Sequence, residues 1–174
     1  WKDRSLSKDF SRVKAAALII GGWADVYPTA SARNFANIKS PKHLLIGPWR
    51  HIWPEQEATV PGPRIDSRPL VLEWFDHWLK GIDNGVMKKP PVTIFVQKHS
   101  PALAHMNIEE PGQWRMEENW PIARAQKTPL YLQSNGKLSW KKSTNTEKTG
   151  DKLVYDPSAG LTSGYHWGSN LLPW

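Results

Sequence analysis

No cysteine occurs among the 174 residues. That excludes disulfides, thiolate nucleophiles and cysteine-held zinc, and it leaves cytosol, periplasm and export open as compartments. No apolar run approaches the roughly 20 residues of a membrane-spanning helix, so no membrane partner is expected, and no signal peptide is visible. Clustered charge is lacking too. Lysine and arginine number 23 against 16 acidic residues, a net charge of +7, yet only Lys88-Lys89 and Lys141-Lys142 are neighbours. Nucleic-acid binders gather their basic residues on one element. Scattered ones read as the solvated surface of a basic protein, and no nucleic acid is expected as a partner.

Against these absences stand two short blocks. Residues 15–20 form an apolar run that ends in Gly21-Gly22-Trp23-Ala24-Asp25, and residues 44–46 form another that ends in Gly47-Pro48-Trp49-Arg50-His51. Each run delivers one side chain of catalytic type just past its end. An acid after one strand and a histidine after the next is the order in which an α/β-hydrolase presents the last two members of a Ser…Asp…His triad. The nucleophile is not in the sequence. No G-x-S-x-G elbow occurs, and Ser139, Ser163 and Ser169 have no elbow context. Gly164-Tyr165-His166-Trp167-Gly168 has the outline of an elbow but carries His in place of Ser, and reads as a jelly-roll turn.

The elements follow from patterning. Residues 1–12 read as irregular or part-helical. Residues 13–20 are apolar except for Lys14 and predict a strand buried on both faces of a parallel sheet. Residues 29–38 predict a helix capped by Thr29 or Ser31, with Ala32, Phe35, Ala36 and Ile38 on its inner face. Residues 43–47 predict the next strand, parallel to the first through a crossover. Residues 66–79 predict an amphipathic helix capped by Asp66 or Ser67, striped by Leu70, Trp74, Phe75, Trp78 and Leu79, and closed by Gly81. Beyond Lys88-Lys89-Pro90-Pro91 the character changes. Residues 92–96, 114–116, 129–132, 136–140 and 153–155 are short apolar pieces between turn signals, the pattern of an antiparallel sandwich or jelly roll. The opening Trp1 and the closing Pro173-Trp174, with no polar tail, predict a piece of a larger protein.

The ordered set of blocks resembles the cocaine esterase, X-Pro dipeptidyl-peptidase and α-amino-acid ester hydrolase family. The likeness rests on Gly21-Gly22-Trp23-Ala24-Asp25, Gly47-Pro48-Trp49-Arg50-His51, Trp74-Phe75-Asp76-His77-Trp78-Leu79-Lys80-Gly81 and Pro91-Val92-Thr93-Ile94-Phe95-Val96, with weaker echoes in Trp114-Arg115, Trp120-Pro121 and Tyr155-Asp156-Pro157. Ala24 and Val26 stand where that family often has aromatics. The resemblance implies an α/β-hydrolase domain followed by a jelly-roll β-sandwich. Residues 1–87 would be the last part of the first, with its last two parallel strands and helices. Residues 88–174 would be the beginning of the second. The serine, the helical cap and the oxyanion donors would lie upstream.

In that frame Asp25 is the triad acid, fixing the tautomer of His51 and stabilising its imidazolium. His51 is the general base and acid. Read without the frame, Asp25 is equally a turn aspartate ahead of Pro28. Trp23, Trp49 and Trp53 could wall a substrate pocket, although Trp at such positions is more often core. Asp76-His77 beside His51 fits no zinc template, so no metal is expected, and the resemblance implies no cofactor. The expected partners are a small-molecule ester or peptide substrate and the N-terminal part of the same protein. A two-strand parallel remnant would leave an apolar edge unpaired, to be covered by that part or by a homodimer partner. The competing reading takes the Trp-rich jelly roll, with eleven tryptophans in the chain, as a carbohydrate- or peptide-binding module without catalysis.

Overall fold

Hydrophobic alternation along three strands sets the architecture. The computed structural model describes residues 5–57, 59–101, 108–133, 137–142 and 154–158. Strand β1 (Ala17–Gly22), helix α1 (Pro28–Asn37), strand β2 (Lys42–Gly47), helix α2 (Arg68–Lys80) and strands β3 (Val92–Gln97) and β4 (Gly112–Glu117) follow in chain order, with a hairpin β5 (Tyr131–Gln133) and β6 (Lys137–Ser139) beyond them. Single 3₁₀ turns occupy Leu6–Lys8, Phe10–Arg12 and Val86–Lys88. The expected turn at residues 164–168, with Ser163 and Ser169, lies outside the described residues, as does Leu153.

The main sheet has the order β1-β2-β3-β4. β1 pairs parallel with β2, β2 parallel with β3, and β3 antiparallel with β4. The parallel remnant therefore has three strands rather than the expected two. The sheet runs without a break across residues 87–88, because β3 finds its partner in β2. Val92, Ile94 and Val96 alternate onto the same face as Leu44 and Ile46, where they complete the core built on Ala32 and Phe35 of α1. A strand with so apolar a face is held where the largest core is. The hairpin β5–β6 forms a separate two-stranded antiparallel sheet. The chain is thus mixed α/β with a second, small antiparallel sheet.

Helix α1 begins one residue earlier than its pattern suggests. Pro28 takes the first helical position, where its fixed φ and lack of an N–H cost nothing, and Tyr27 is the N-cap with no side-chain hydrogen bond. The expected caps Thr29 and Ser31 lie inside the helix. At α2 the Asp66 carboxylate accepts the Arg68 amide at 3.1 Å, whereas Ser67 turns its hydroxyl to Glu55 at 2.6 Å. Gly81 closes α2 in the left-handed region at φ 71°, where a residue with a Cβ is disfavoured.

Leu18, Ile20 and His43 point to the opposite face of the sheet from Ile19 and Leu44, and that face meets α2. Trp74 is the helix's buried anchor and tilts onto the His43 ring at 5.2 Å. Of the rest of the expected stripe, Leu70 is half-buried, and Phe75, Trp78 and Leu79 are exposed.

Candidate active site

The two loops that follow β1 and β2 are zipped together by backbone bonds. The strands end in register, Gly22 opposite Gly47. Beyond that point Trp23 N–H donates to the Gly47 carbonyl at 2.8 Å, Ala24 N–H donates to the Trp49 carbonyl at 3.1 Å, and Asp25 N–H turns back to Gly22 at 3.3 Å. Gly22 makes the crossing possible. A Cβ at this position would lie 2.0 Å from the Trp49 carbonyl oxygen, so only a residue without a side chain fits.

This crossing brings Asp25 and His51 together. Asp25 Oδ1 accepts the Tyr27 backbone N–H at 2.8 Å, a local bond that orients the carboxylate just before Pro28 starts α1. Its other oxygen, Oδ2, lies 2.9 Å from His51 Nδ1. The Asp25 side chain is 15 % exposed and that of His51 63 %. A carboxylate at Nδ1 favours the tautomer with the proton on that nitrogen and leaves Nε2 as the acceptor. Tyr27 stands edge-on to the imidazole, with ring centroids 6.2 Å apart. The arrangement can take a proton at Nε2 and hold the resulting imidazolium against Asp25.

Both side chains line a cavity of about 650 Å³. Leu18 and Ile20 of β1, Val71 and Phe75 of α2, and the loop residues Trp49 and Trp53 are among its lining. Trp53 is 56 % exposed at the rim, and its carbonyl accepts the Thr59 hydroxyl at 2.6 Å. Trp49 is buried, donating its indole N–H to the Pro63 carbonyl at 2.8 Å. Trp23 does not line this cavity. Its indole packs on the α1 side of the sheet against the core and Trp120, and donates to the Phe95 carbonyl at 2.7 Å. The run Ala17–Ile20 does not reveal which way a residue past the strand end will turn. Arg50 and the β1 pair Leu18 and Ile20 line the cavity without having been singled out. The parity of β1 could have identified the latter two, since Ile19 faces α1 and its neighbours must face away.

His43 is a core histidine of another kind. Burial pushes its pKa below the ordinary 6.5, with the Lys89 ammonium adding to the fall and the Glu73 carboxylate opposing it. Asp76 pairs with Lys80 at 2.6 Å, and His77 Nδ1 faces the Ile82 carbonyl at 3.0 Å. Among the described residues no three His, Asp or Glu side chains converge as a metal site, and no helix is long and apolar enough to cross a membrane.

Comparison with known proteins places this geometry in context. Residues 1–53 match the family model of the X-Pro dipeptidyl-peptidase (S15 family). Residues 84–162 match that of the X-Pro dipeptidyl-peptidase C-terminal non-catalytic domain. A protein of Mycobacterium bovis named as a serine esterase is 26 % identical over 169 residues, covering 94 % of this chain and 25 % of the relative. A protein of Streptomyces avermitilis named as an Xaa-Pro dipeptidyl-peptidase is 31 % identical over 126 residues, covering 70 % of this chain and 16 % of the relative. The crystal structure of a CocE/NonD family hydrolase from Staphylococcus aureus shares the fold at a TM-score of 0.57 and 23 % identity, over 82 % of this chain and 23 % of that one. The chain thus spans a quarter or less of the length of these relatives. Two family models in series, over residues 1–53 and 84–162, lead to one conclusion: the chain belongs to the X-Pro dipeptidyl-peptidase (S15) family.

Proposed function

We propose that these residues supply the acid and the base of a serine hydrolase that cleaves esters, or X-Pro and amino-acyl amides, through an acyl-enzyme. The observation that carries this reading is the 2.9 Å contact between Asp25 Oδ2 and His51 Nδ1 at the edge of an apolar cavity. His51 Nε2 removes the proton from a serine hydroxyl as the oxygen attacks the substrate carbonyl, and later delivers it to the leaving group. Asp25 holds the ring in the competent tautomer and offsets the imidazolium charge. The serine and the oxyanion donors come from outside these 174 residues, in keeping with a sequence that has no G-x-S-x-G. Trp49, Trp53, Leu18, Ile20 and Phe75 present an apolar wall to the acyl or leaving group. On this reading residues 1–87 belong to the catalytic domain and residues 88–174 open a jelly roll, even though the sheet is shared.

The open edge of β1 supports the same reading. Among the described residues β1 ends the sheet on one side, with no strand paired to its outer backbone groups. A parallel strand edge of this kind calls for another strand, either from the N-terminal part of the protein or from a second copy.

The test compares two proteins on p-nitrophenyl esters and X-Pro p-nitroanilides. The 174-residue chain alone is expected to show no turnover above background. A protein in which upstream residues bring a G-x-S-x-G serine is expected to turn over. In that protein Asp25→Asn should lower kcat by about 10⁴-fold and His51→Ala by about 10⁶-fold, with little change in KM. Brisk hydrolysis by the chain alone, or full activity of His51→Ala in the larger protein, overturns the proposal.

A further inference from the structure

The loops carrying Asp25 and His51 share a spacing. In each a glycine is followed two residues on by a tryptophan, and two residues after that by the acid or base: Gly21, Trp23, Asp25 and Gly47, Trp49, His51. Both tryptophans are tied to the β3–β4 pair, and one on each side of the sheet. On the α1 side, Trp23 donates its indole N–H to the Phe95 carbonyl at 2.7 Å and meets Trp120 at 6.2 Å between ring centroids. On the other side, Phe95 and Trp114 are cross-strand partners in register, with rings 5.3 Å apart, and Trp114 meets Trp49 at 5.8 Å. Phe95 therefore links the two tryptophans, held through its backbone by Trp23 and joined through its ring and Trp114 to Trp49. The Trp49 carbonyl in turn accepts the Ala24 N–H at 3.1 Å, so the base loop also holds the acid loop.

We infer that Phe95, Trp114 and Trp120 are positioning residues for the Asp25–His51 pair. The segment that matches a domain described as non-catalytic thereby sets the geometry of the acid and base. The physical case rests on reach. Trp49 is 1 % exposed and Phe95 3 % exposed, so their rings cannot shift without opening a void. Each lies within two residues of a catalytic-type side chain or bonded to one that does. A displacement of a few tenths of an ångström at Trp49 passes directly to His51 and, through the Ala24 bond, to Asp25. Well-packed rings behind a site are how a short hydrogen bond keeps its geometry on an exposed rim.

This inference rests on the reading of Asp25 and His51 as acid and base, and its test separates the two. The probe is the imidazole tautomer of His51 in the folded 174-residue chain, read from ring ¹⁵N shifts at mildly alkaline pH. The Asp25 contact favours the Nδ1–H form, and a ring released from it reverts to the Nε2–H form that free histidine prefers. The parent chain is expected to show Nδ1–H and Asp25→Ala to show mostly Nε2–H. Trp114→Leu is expected to move the majority to Nε2–H, and Trp114→Phe to restore Nδ1–H. Trp74→Leu removes a ring of equal size, 2 % exposed, from α2, and is expected to lower stability while leaving the tautomer as in the parent. If Trp114→Leu does not fold, Trp120→Leu, which alters the half-buried partner of Trp23, carries the same expectation. A parent chain already in the Nε2–H form overturns the acid–base pairing itself. A paired parent whose Trp114→Leu or Trp120→Leu variant keeps Nδ1–H overturns only the positioning role, as does a Trp74→Leu variant that loses Nδ1–H to the same extent.

Discussion

At the scale of single residues, the candidate site depends on atoms that have no chemistry of their own. Gly22 is the clearest case. The missing Cβ is what lets the β1 loop pass the Trp49 carbonyl, and Gly22→Ala would put a methyl group 2.0 Å from that oxygen. The variant is expected to lose about 1–3 kcal/mol, the usual cost of overpacking, measured as a lower urea midpoint with an unchanged slope. It should also separate Asp25 from His51. His43 gives a pH signature. Its folded pKa is held below 6.5 by burial, so the unfolded chain binds the proton more readily than the folded one. The stability that the neutral ring provides is fully present above pH 6.5 and is lost as pH falls through that value toward the depressed one. Urea midpoints measured across this range should decline with acid in the parent and decline less in His43→Phe. Equal slopes in both would show that another group controls the transition. The positions of Asp25 and His51 were legible because each follows an apolar run closed by glycine. The direction of Trp23 was not, because a residue past the strand end is no longer bound to the alternation of the sheet.

At the scale of elements, what could be read was existence and type. Both helices and all the strands described here fall where periodicity puts them, to within a few residues. Sheet membership was harder. The run from Val92 follows the Pro90-Pro91 break and a change in composition, yet it pairs with β2 in the main sheet, where Val92, Ile94 and Val96 supply apolar surface on the α1 face. Helix α2 shows the opposite problem. Its sequence promises a broad buried stripe, yet Leu72 is 59 % exposed, Phe75 49 % and Leu79 77 %. These residues recur at three- and four-residue steps, the signature of a face made for a partner. In the 174-residue chain Leu79→Ser is therefore expected to change stability by no more than about 0.5 kcal/mol. In a protein with more chain packed over α2 the same change should cost several times as much, and paired melting curves would show the difference. Equal effects in both contexts would mean that α2 stays bare.

At the scale of the molecule, Asp25 and His51 follow neighbouring strands of one sheet, and among the described residues that sheet ends at β1. Everything the proposed chemistry still needs must approach along this border. On the proposed function, the order β1-β2-β3-β4 splits the catalytic parts unevenly: two reach their places through strands that are neighbours in both sequence and space, and the third would come from outside these residues. The catalytic centre would then be divisible. Two separately purified polypeptides, one ending before residue 13 and carrying the serine, the other beginning there, are expected to recover esterase activity when mixed, with a rate that rises and saturates as the second is titrated into the first. Amide protons along residues 17–22 would slow their exchange over the same titration. The border strand would then serve as a natural seam, where a single catalytic centre can be taken apart and reassembled without cutting through the pair that moves the proton.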